Sequence, residues 1–261
     1  MQMRWLGWAG VELEAAGETI VIDPLADPGA TFAALSDAAC DGELPDVELA
    51  TPGRAVAGLV SHLHRDHADA GALAAALKPG SDVHHPVAGE PGNVALAQAE
   101  RELAARGLPR REIGTWDTFI VGPFTCTALP AVDGLGDPQV AWLVDADGQS
   151  VLHLGDTMFH GAWWQMARRA GPFDVVFAPI NGAVVNFPHQ QPGSPLPAAM
   201  EPEQAALAGE LLGAATVVPM HYGGFALEPW YRPIPDARER FERAAAERAY
   251  RAVPLEPGEA L

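Results

Sequence analysis

The sequence predicts an α/β protein, and three observations carry that prediction. Strand-sized apolar runs such as Val56-Ala57-Gly58-Leu59-Val60 and Val175-Val176-Phe177-Ala178-Pro179-Ile180 alternate with amphipathic helical stretches. Several strands hand over at their C-terminal ends to a histidine or an aspartate. Those ends are where open α/β sheets place their ligands.

Composition sets the outer bounds. With 261 residues, 48% hydrophobic and 19% charged, the chain can bury a sizeable core as one large domain or two small ones. Its apolar runs are too short to cross a bilayer, so no membrane association is expected. The start, Met1-Gln2-Met3-Arg4-Trp5-Leu6-Gly7, enters a strand pattern without the apolar core of a secretory signal, and a cytoplasmic location is expected. Only Cys40 and Cys126 occur, far apart, which fits a reducing compartment and argues against a disulfide framework or a thiolate zinc site. A formal charge of −18 repels nucleic-acid phosphate and counts against a nuclease, although it also simply keeps a protein soluble.

Taken in order, Met3 to Val11, Val11 to Glu14 and Glu18 to Asp23 read as a meander turning at Ala15-Ala16-Gly17-Glu18. Asp23, before Pro24, reads equally as a turn initiator or as a carboxylate that orients a ligand histidine. Residues 28–51 have little periodicity and read as a long loop with a short helix at Thr31 to Leu35. The strand ending at Val60 runs into His62-Leu63-His64-Arg65-Asp66-His67, after which Asp69 to Leu77 reads as a helix ended by Lys78-Pro79-Gly80. A strand alternates its side chains, so His62 and His64 can point one way while Asp66 and His67 fall in the following turn. Imidazoles with a carboxylate suit zinc and other borderline divalent metals better than calcium or magnesium.

Asp82 starts the next strand, with His84 and His85 read as loop histidines before Pro86. Asn93 to Arg106 is the clearest amphipathic helix, its apolar set being Val94, Leu96, Ala97, Leu103 and Ala104. Strands follow at Thr118 to Val121, Phe124 to Leu129, Val140 to Val144 and Ser150 to Thr157; the second leads to Asp133 and the last carries a packed His153 and delivers Asp156. A helix over Ala162 to Ala170 precedes a buried strand from Asp174 to Ile180. The Pro- and Gly-rich stretch from Asn181 to Pro197, with His189, reads as a lid. Glu201 to Leu212 is a helix, Thr216 to Met220 a strand ending at His221, and Asp236 to Arg248 a solvated helix laced with Arg and Glu.

Strand after strand thus ends in a side chain able to hold metal: Asp23, the histidine cluster, Asp133, Asp156 and His221. On this pattern the chain resembles the metallo-β-lactamase superfamily, whose signature is His-x-His-x-Asp-His followed by single later ligands. Gly7-Trp8-Ala9-Gly10, Val21-Ile22-Asp23-Pro24, Leu154-Gly155-Asp156-Thr157 and Val218-Pro219-Met220-His221-Tyr222 make it look most like the L-ascorbate-6-phosphate lactonase-like branch.

The resemblance implies a four-layer αββα sandwich, two mixed sheets with helices outside, as a single domain over residues 1–261, able to assemble into a homo-oligomer. It implies two divalent ions, zinc first and manganese or iron as alternatives: one held by His62, His64 and Asp133, the other by Asp66, His67 and His221, with Asp156 between them and Asp23 in support. It further implies hydrolysis of a small ester, lactone or phosphoester by a water activated between the ions, with Asp66 taking the proton and His160, His189 or Tyr222 supplying one to the leaving group. Two positions depart from the family: Asp133 stands where a histidine is usual, and Trp8 where the branch often has one. The competing readings are a lipid phosphodiesterase of the N-acyl-phosphatidylethanolamine phospholipase D type, walled by Trp163-Trp164, Phe187 and Trp230, and a non-catalytic metal-binding or ligand-sensing protein in which Asp133 marks a degraded site.

Overall fold

A computed structural model describes residues 1–33, 44–87, 94–187 and 191–261. The first half contributes β1 (Gln2–Gly7), β2 (Gly10–Ala15), β3 (Glu18–Ile22), α1 (Pro28–Ala33), β4 (Ala55–Leu59), α2 (Ala70–Ala76), β5 (Leu77–Pro86), α3 (Val94–Ala105) and β6 (Arg110–Ile113). The second contributes β7 (Thr118–Val121), β8 (Phe124–Pro130), β9 (Val140–Ala146), β10 (Gln149–His153), α4 (Trp163–Ala170), β11 (Val175–Pro179), β12 (Val184–Val185), α5 (Pro202–Leu212), β13 (Thr216–Met220), β14 (Tyr231–Arg232), α6 (Ala237–Ala245) and β15 (Arg251–Ala252).

The strands form a six-stranded sheet in the order β1-β2-β3-β4-β5-β6 and a seven-stranded sheet in the order β15-β13-β11-β10-β9-β8-β7. Each is mixed in the same way. Antiparallel hairpins β1–β3 and β7–β10 lead into parallel strands joined by crossovers.

Period-two alternation points each continuous apolar run at two layers of core, one on either face of its sheet. In β9, Val140, Trp142 and Val144 face the core between the sheets, whereas Ala141 and Leu143 face α4 and α5. β11 and β13 divide likewise, with Phe177, Val218 and Met220 inside and Val176, Ala178 and Val217 outside. On the other sheet Ile20 and Ile22 join the central core while Val21 packs under α2 and α3 with Leu73, Leu96 and Leu103. These three apolar layers separate four layers of secondary structure, the expected αββα sandwich. Gly58 in β4 allows the close approach of α2, since a Cβ there would meet Leu73 Cδ2 at 2.7 Å.

Some local expectations are corrected. Lys78-Pro79-Gly80 does not separate α2 from a later strand, because Leu77 already pairs with Ala55 and residues 78–81 are looped out before Asp82 pairs with Ala57. His84 and His85 are therefore strand residues, both buried. His84 stacks on Phe119 and His85 Nδ1 lies 2.9 Å from the Pro86 carbonyl, so packing, not exposure, explains them. In α3 it is Ala99, not Ala104, that joins Leu96 and Leu103 in the core. The strand expected over 150–157 stops at His153, leaving Asp156 in the following loop. The short helix expected at Thr31 to Leu35 starts earlier, as α1; residues 34–43, which include the end of that helix and part of the expected loop, lie outside the described residues.

Candidate metal centre

The site lies where the C-terminal ends of β3, β4, β8, β10, β11 and β13 meet. Three of its residues sit in the left-handed backbone region, Trp8 at φ 46°, Asp23 at 44° and His221 at 54°. Non-glycine residues held there cost about 1–3 kcal/mol each and persist only where surroundings over-determine them. Gly155 at φ 64° is needed on two counts, since a Cβ would also meet Gln139 Nε2 at 2.6 Å and Ser61 Cβ at 3.0 Å. This tight turn swings Asp156 off β10 toward the histidines.

Seven of the expected donors converge into two groups. His62, His64, Asp133 and Asp156 each offer an atom within 4.8 Å of the others, and Asp66, His67 and His221 do the same. His62 Nε2 is 2.7 Å from His64 Nδ1, and His67 Nε2 is 3.1 Å from His221 Nε2. Asp66 Oδ2 lies 3.5 Å from His67 Nε2 and 3.6 Å from His221 Nε2. Asp156 spans the groups, with Oδ1 3.7 Å from His62 Nε2 and Oδ2 3.9 Å from His67 Nε2.

The far nitrogen of every clustered imidazole has its own partner. His67 Nδ1 faces Asp23 at 2.8 Å, His64 Nε2 faces Asp137 at 2.8 Å, His221 Nδ1 faces Asn181 at 3.0 Å and His62 Nδ1 faces Ser61 Oγ at 3.0 Å. Such partners fix ring orientation and leave the inward nitrogen for a metal. Asp23 is fully buried, also accepting from the Ser61 backbone N–H at 2.7 Å and Ser61 Oγ at 2.5 Å, so it is more than a turn initiator.

Electrostatics follow from burying many ionisable groups together. Burial would lower the His67 pKa, but the Asp66 and Asp23 carboxylates carry it up to about 10. Burial would raise Asp66, and the charges of His67 and His221 instead hold it well below the carboxylate range. Asp133 is pushed up to about 6 by burial and by Asp156. Asp133 Oδ2 also accepts from the backbone N–H groups of Leu135 and Asp137, which ties its carboxylate to the loop after β8.

Trp8, at the second departure from the family, supplies a contact of its own. Its indole Nε1–H donates to Asp66 Oδ2 at 2.9 Å and its ring lies 4.0 Å from that of His221. Two of the three expected proton donors are engaged elsewhere by packing. His160 stacks on Trp163, and burial lowers its pKa to about 4; Tyr222 packs against Trp5, and burial raises its pKa to about 12. His189 lies outside the described residues.

Sequence reading missed Ser61, Asp137, Gln139, Asn181 and Tyr231. Gln139 Nε2 donates to Asp156 Oδ1 at 2.7 Å, and Asn181 Nδ2 lies 2.5 Å from Tyr231 Oη. Asn181 had a local signal, ending a buried strand before Gly182 as Asp156 follows Gly155. Tyr231 had none.

A profile described as the beta-lactamase superfamily domain matches residues 18–222, which hold both donor groups. The chain belongs to the metallo-β-lactamase superfamily. Within it, a UPF0173 metal-dependent hydrolase of Rubrobacter xylanophilus is 30% identical over 261 residues, covering 94% of this chain and 89% of the relative. A UPF0173 metal-dependent hydrolase of Thermococcus kodakarensis is 28% identical over 264 residues, covering 100% and 99%. Among solved structures, Igni18, described as a metallo hydrolase from Ignicoccus hospitalis, shares the metallo-β-lactamase-like fold of this chain with a TM-score of 0.66 at 19% identity, covering 100% and 97%. No described helix is long and apolar enough to cross a membrane.

Proposed function

We propose that this protein is a hydrolase that holds two divalent cations and cleaves a small ester, lactone or phosphoester. The observation that carries the reading is Asp156, whose two oxygens face the two donor groups separately. Four imidazoles and three carboxylates are a donor set of borderline hardness, which suits zinc first and manganese or iron next. His62, His64 and Asp133 would hold one ion, Asp66, His67 and His221 the other, and Asp156 would serve both. Such ions make water nucleophilic near neutral pH and stabilise charge developing on a carbonyl or phosphoryl oxygen.

The side chains divide the remaining work. Asp66, steadied by the Trp8 N–H, accepts the proton of the attacking water. Asp23, Asp137, Asn181 and Ser61 hold the imidazoles in register, so the site is organised before substrate arrives. The leaving group would take its proton from one of the three expected donors, His160, His189 or Tyr222. The motifs around Trp8, Asp23, Asp156 and His221 favour the lactonase-like branch.

A lipid phosphodiesterase is the second reading, although of the Trp163-Trp164 pair expected to wall its site Trp163 is fully buried among Met166 and Leu154 and only Trp164, half exposed, faces outward. A non-catalytic sensor finds less support, since Asp133 stands among the other donors of its group. The decisive test strips the protein with a chelator, measures metal content, and reloads it with zinc, manganese or iron before a screen of lactones, esters and phosphodiesters. Two equivalents of metal and hydrolysis that returns with them are expected. A double variant, His64→Ala with Asp66→Ala, should lose both. Turnover that survives complete stripping overturns the proposal.

A further inference from the structure

Asn181, two residues beyond the end of β11 at Pro179, is only 2% exposed and stands behind His221. Its Nδ2 lies 3.0 Å from His221 Nδ1 and 2.5 Å from Tyr231 Oη, while its Oδ1 is buried with no partner among the described residues. The two ends of a carboxamide have the same shape, so their partners decide which is which. With nitrogen toward His221, ring atom Nδ1 must accept. The imidazole proton then sits on Nε2, the atom 3.1 Å from His67 Nε2 that a cation would need.

With oxygen in that place, one carbonyl accepts from both the His221 Nδ1–H and the Tyr231 hydroxyl. The Nε2 lone pair is released toward the site. A separation of 2.5 Å also belongs to O–H···O hydrogen bonds, which run from about 2.5 to 3.0 Å, and is short for N–H···O. The exchange leaves two buried N–H groups unmet where one carbonyl oxygen had been, a cost that the shorter O–H···O contact and the freed Nε2 lone pair must outweigh.

The backbone holds Tyr231 in place for this contact. β14 pairs with β12, Tyr231 opposite Val185, and the Ile234 backbone N–H donates to the backbone carbonyl of Asn181 at 2.7 Å. Phe225 packs 4.8 Å from the Tyr231 ring. Burial, with Asp66 and Asp156 nearby, keeps the phenol protonated and able to donate.

We propose that Asn181 presents its carbonyl oxygen to His221 and Tyr231 together, making Asn181 and Tyr231 positioning residues that fix the His221 tautomer and so set the cation affinity of the Asp66, His67 and His221 group. The proposal rests on the cation-holding site described above. Asn181→Asp keeps acceptor oxygens, Asn181→Leu removes them, and Tyr231→Phe removes the hydroxyl.

The experiment measures zinc affinity of each protein by chelator competition, the His221 tautomer in the zinc-loaded protein by long-range ¹⁵N–¹H NMR, and the melting temperature of the metal-free forms as a folding control. The Asp variant should bind zinc at least as tightly as wild type to within about threefold. The Leu variant should lose about 10–100-fold, as loss of a ligand's supporting partner does. The Phe variant should fall between, and His221 should carry its proton on Nδ1. An Asp variant as weak as the Leu variant, or a proton on His221 Nε2 in the loaded protein, overturns the proposal. If the Leu variant does not fold, the Asp variant and the NMR assignment decide alone. Wild-type protein that binds no divalent cation sinks the hydrolase reading instead, so the two failures are told apart.

Discussion

Replacing Asp23 by asparagine should weaken cation binding without emptying the space. The carboxylate is fully buried and accepts three hydrogen bonds: Ser61 N–H to Oδ1, and Ser61 Oγ and His67 Nδ1 to Oδ2. Asparagine can keep the first through its oxygen, but its amine end then faces His67, whose Nδ1 must become the acceptor. The imidazole proton moves to Nε2, the atom 3.5 Å from Asp66 Oδ2 and 3.1 Å from His221 Nε2. Partners of this kind are worth about 10–100-fold in metal affinity, or about 1.4–2.7 kcal/mol. Asp23→Ala should in addition strand the buried Ser61 N–H, costing about 1–3 kcal/mol of folding stability. Zinc affinity by chelator competition and urea unfolding of the metal-free proteins read the two effects separately. An asparagine variant whose zinc affinity stays within twofold of wild type would refute the argument that Asp23 sets the His67 tautomer.

Three further outcomes follow from particular contacts. Trp8→Phe keeps an aromatic ring against His221 and Phe32 but removes the N–H donated to Asp66 Oδ2; a hydrogen bond to a charged group is worth about 1.5 kcal/mol or more, so zinc affinity should fall about tenfold, and an unchanged affinity would show that Trp8 only packs. His84 has its pKa lowered to about 4 by burial against Phe119, so the folded state prefers the neutral ring; stability should be complete above about pH 6.5 and decline as pH falls toward 4, and His84→Gln should lose this part of the slope in melting curves of the metal-free protein. The full shift corresponds to about 3 kcal/mol, which partial solvent screening reduces to about 1–2 kcal/mol. Trp142→Ala empties the centre of the core between the sheets and should cost about 3–5 kcal/mol in urea unfolding; a loss under 1 kcal/mol would mean that the sheets close over the gap.

Local pattern made most of the sandwich legible. The runs at Ile20-Val21-Ile22, Val140 to Val144 and Val175 to Pro179 are apolar on both faces because each strand is covered on both, by the partner sheet and by helices. The strands the sequence hid are short or polar: β6 reads Arg110-Arg111-Glu112-Ile113, and β12, β14 and β15 have two residues each. Their existence depends on a neighbouring edge, which no window of sequence displays. Helix α2 passes straight into β5 for the same reason, since Leu77 pairs with Ala55 before Pro79-Gly80 makes its turn as a loop-out within the strand.

The candidate site divides along the same line. By itself the sequence determined which donors exist and that each stands at a strand's end, because residue type and two-residue periodicity are local properties. Only the packing of the two sheets decided that Asp156 faces both donor groups, that Asp137 stands behind His64, and that a tyrosine fifty positions beyond Asn181 completes the support of His221. Such contacts join residues far apart in the chain, and what brings them together is the burial of apolar surface between and outside the sheets rather than any feature of the polar residues themselves.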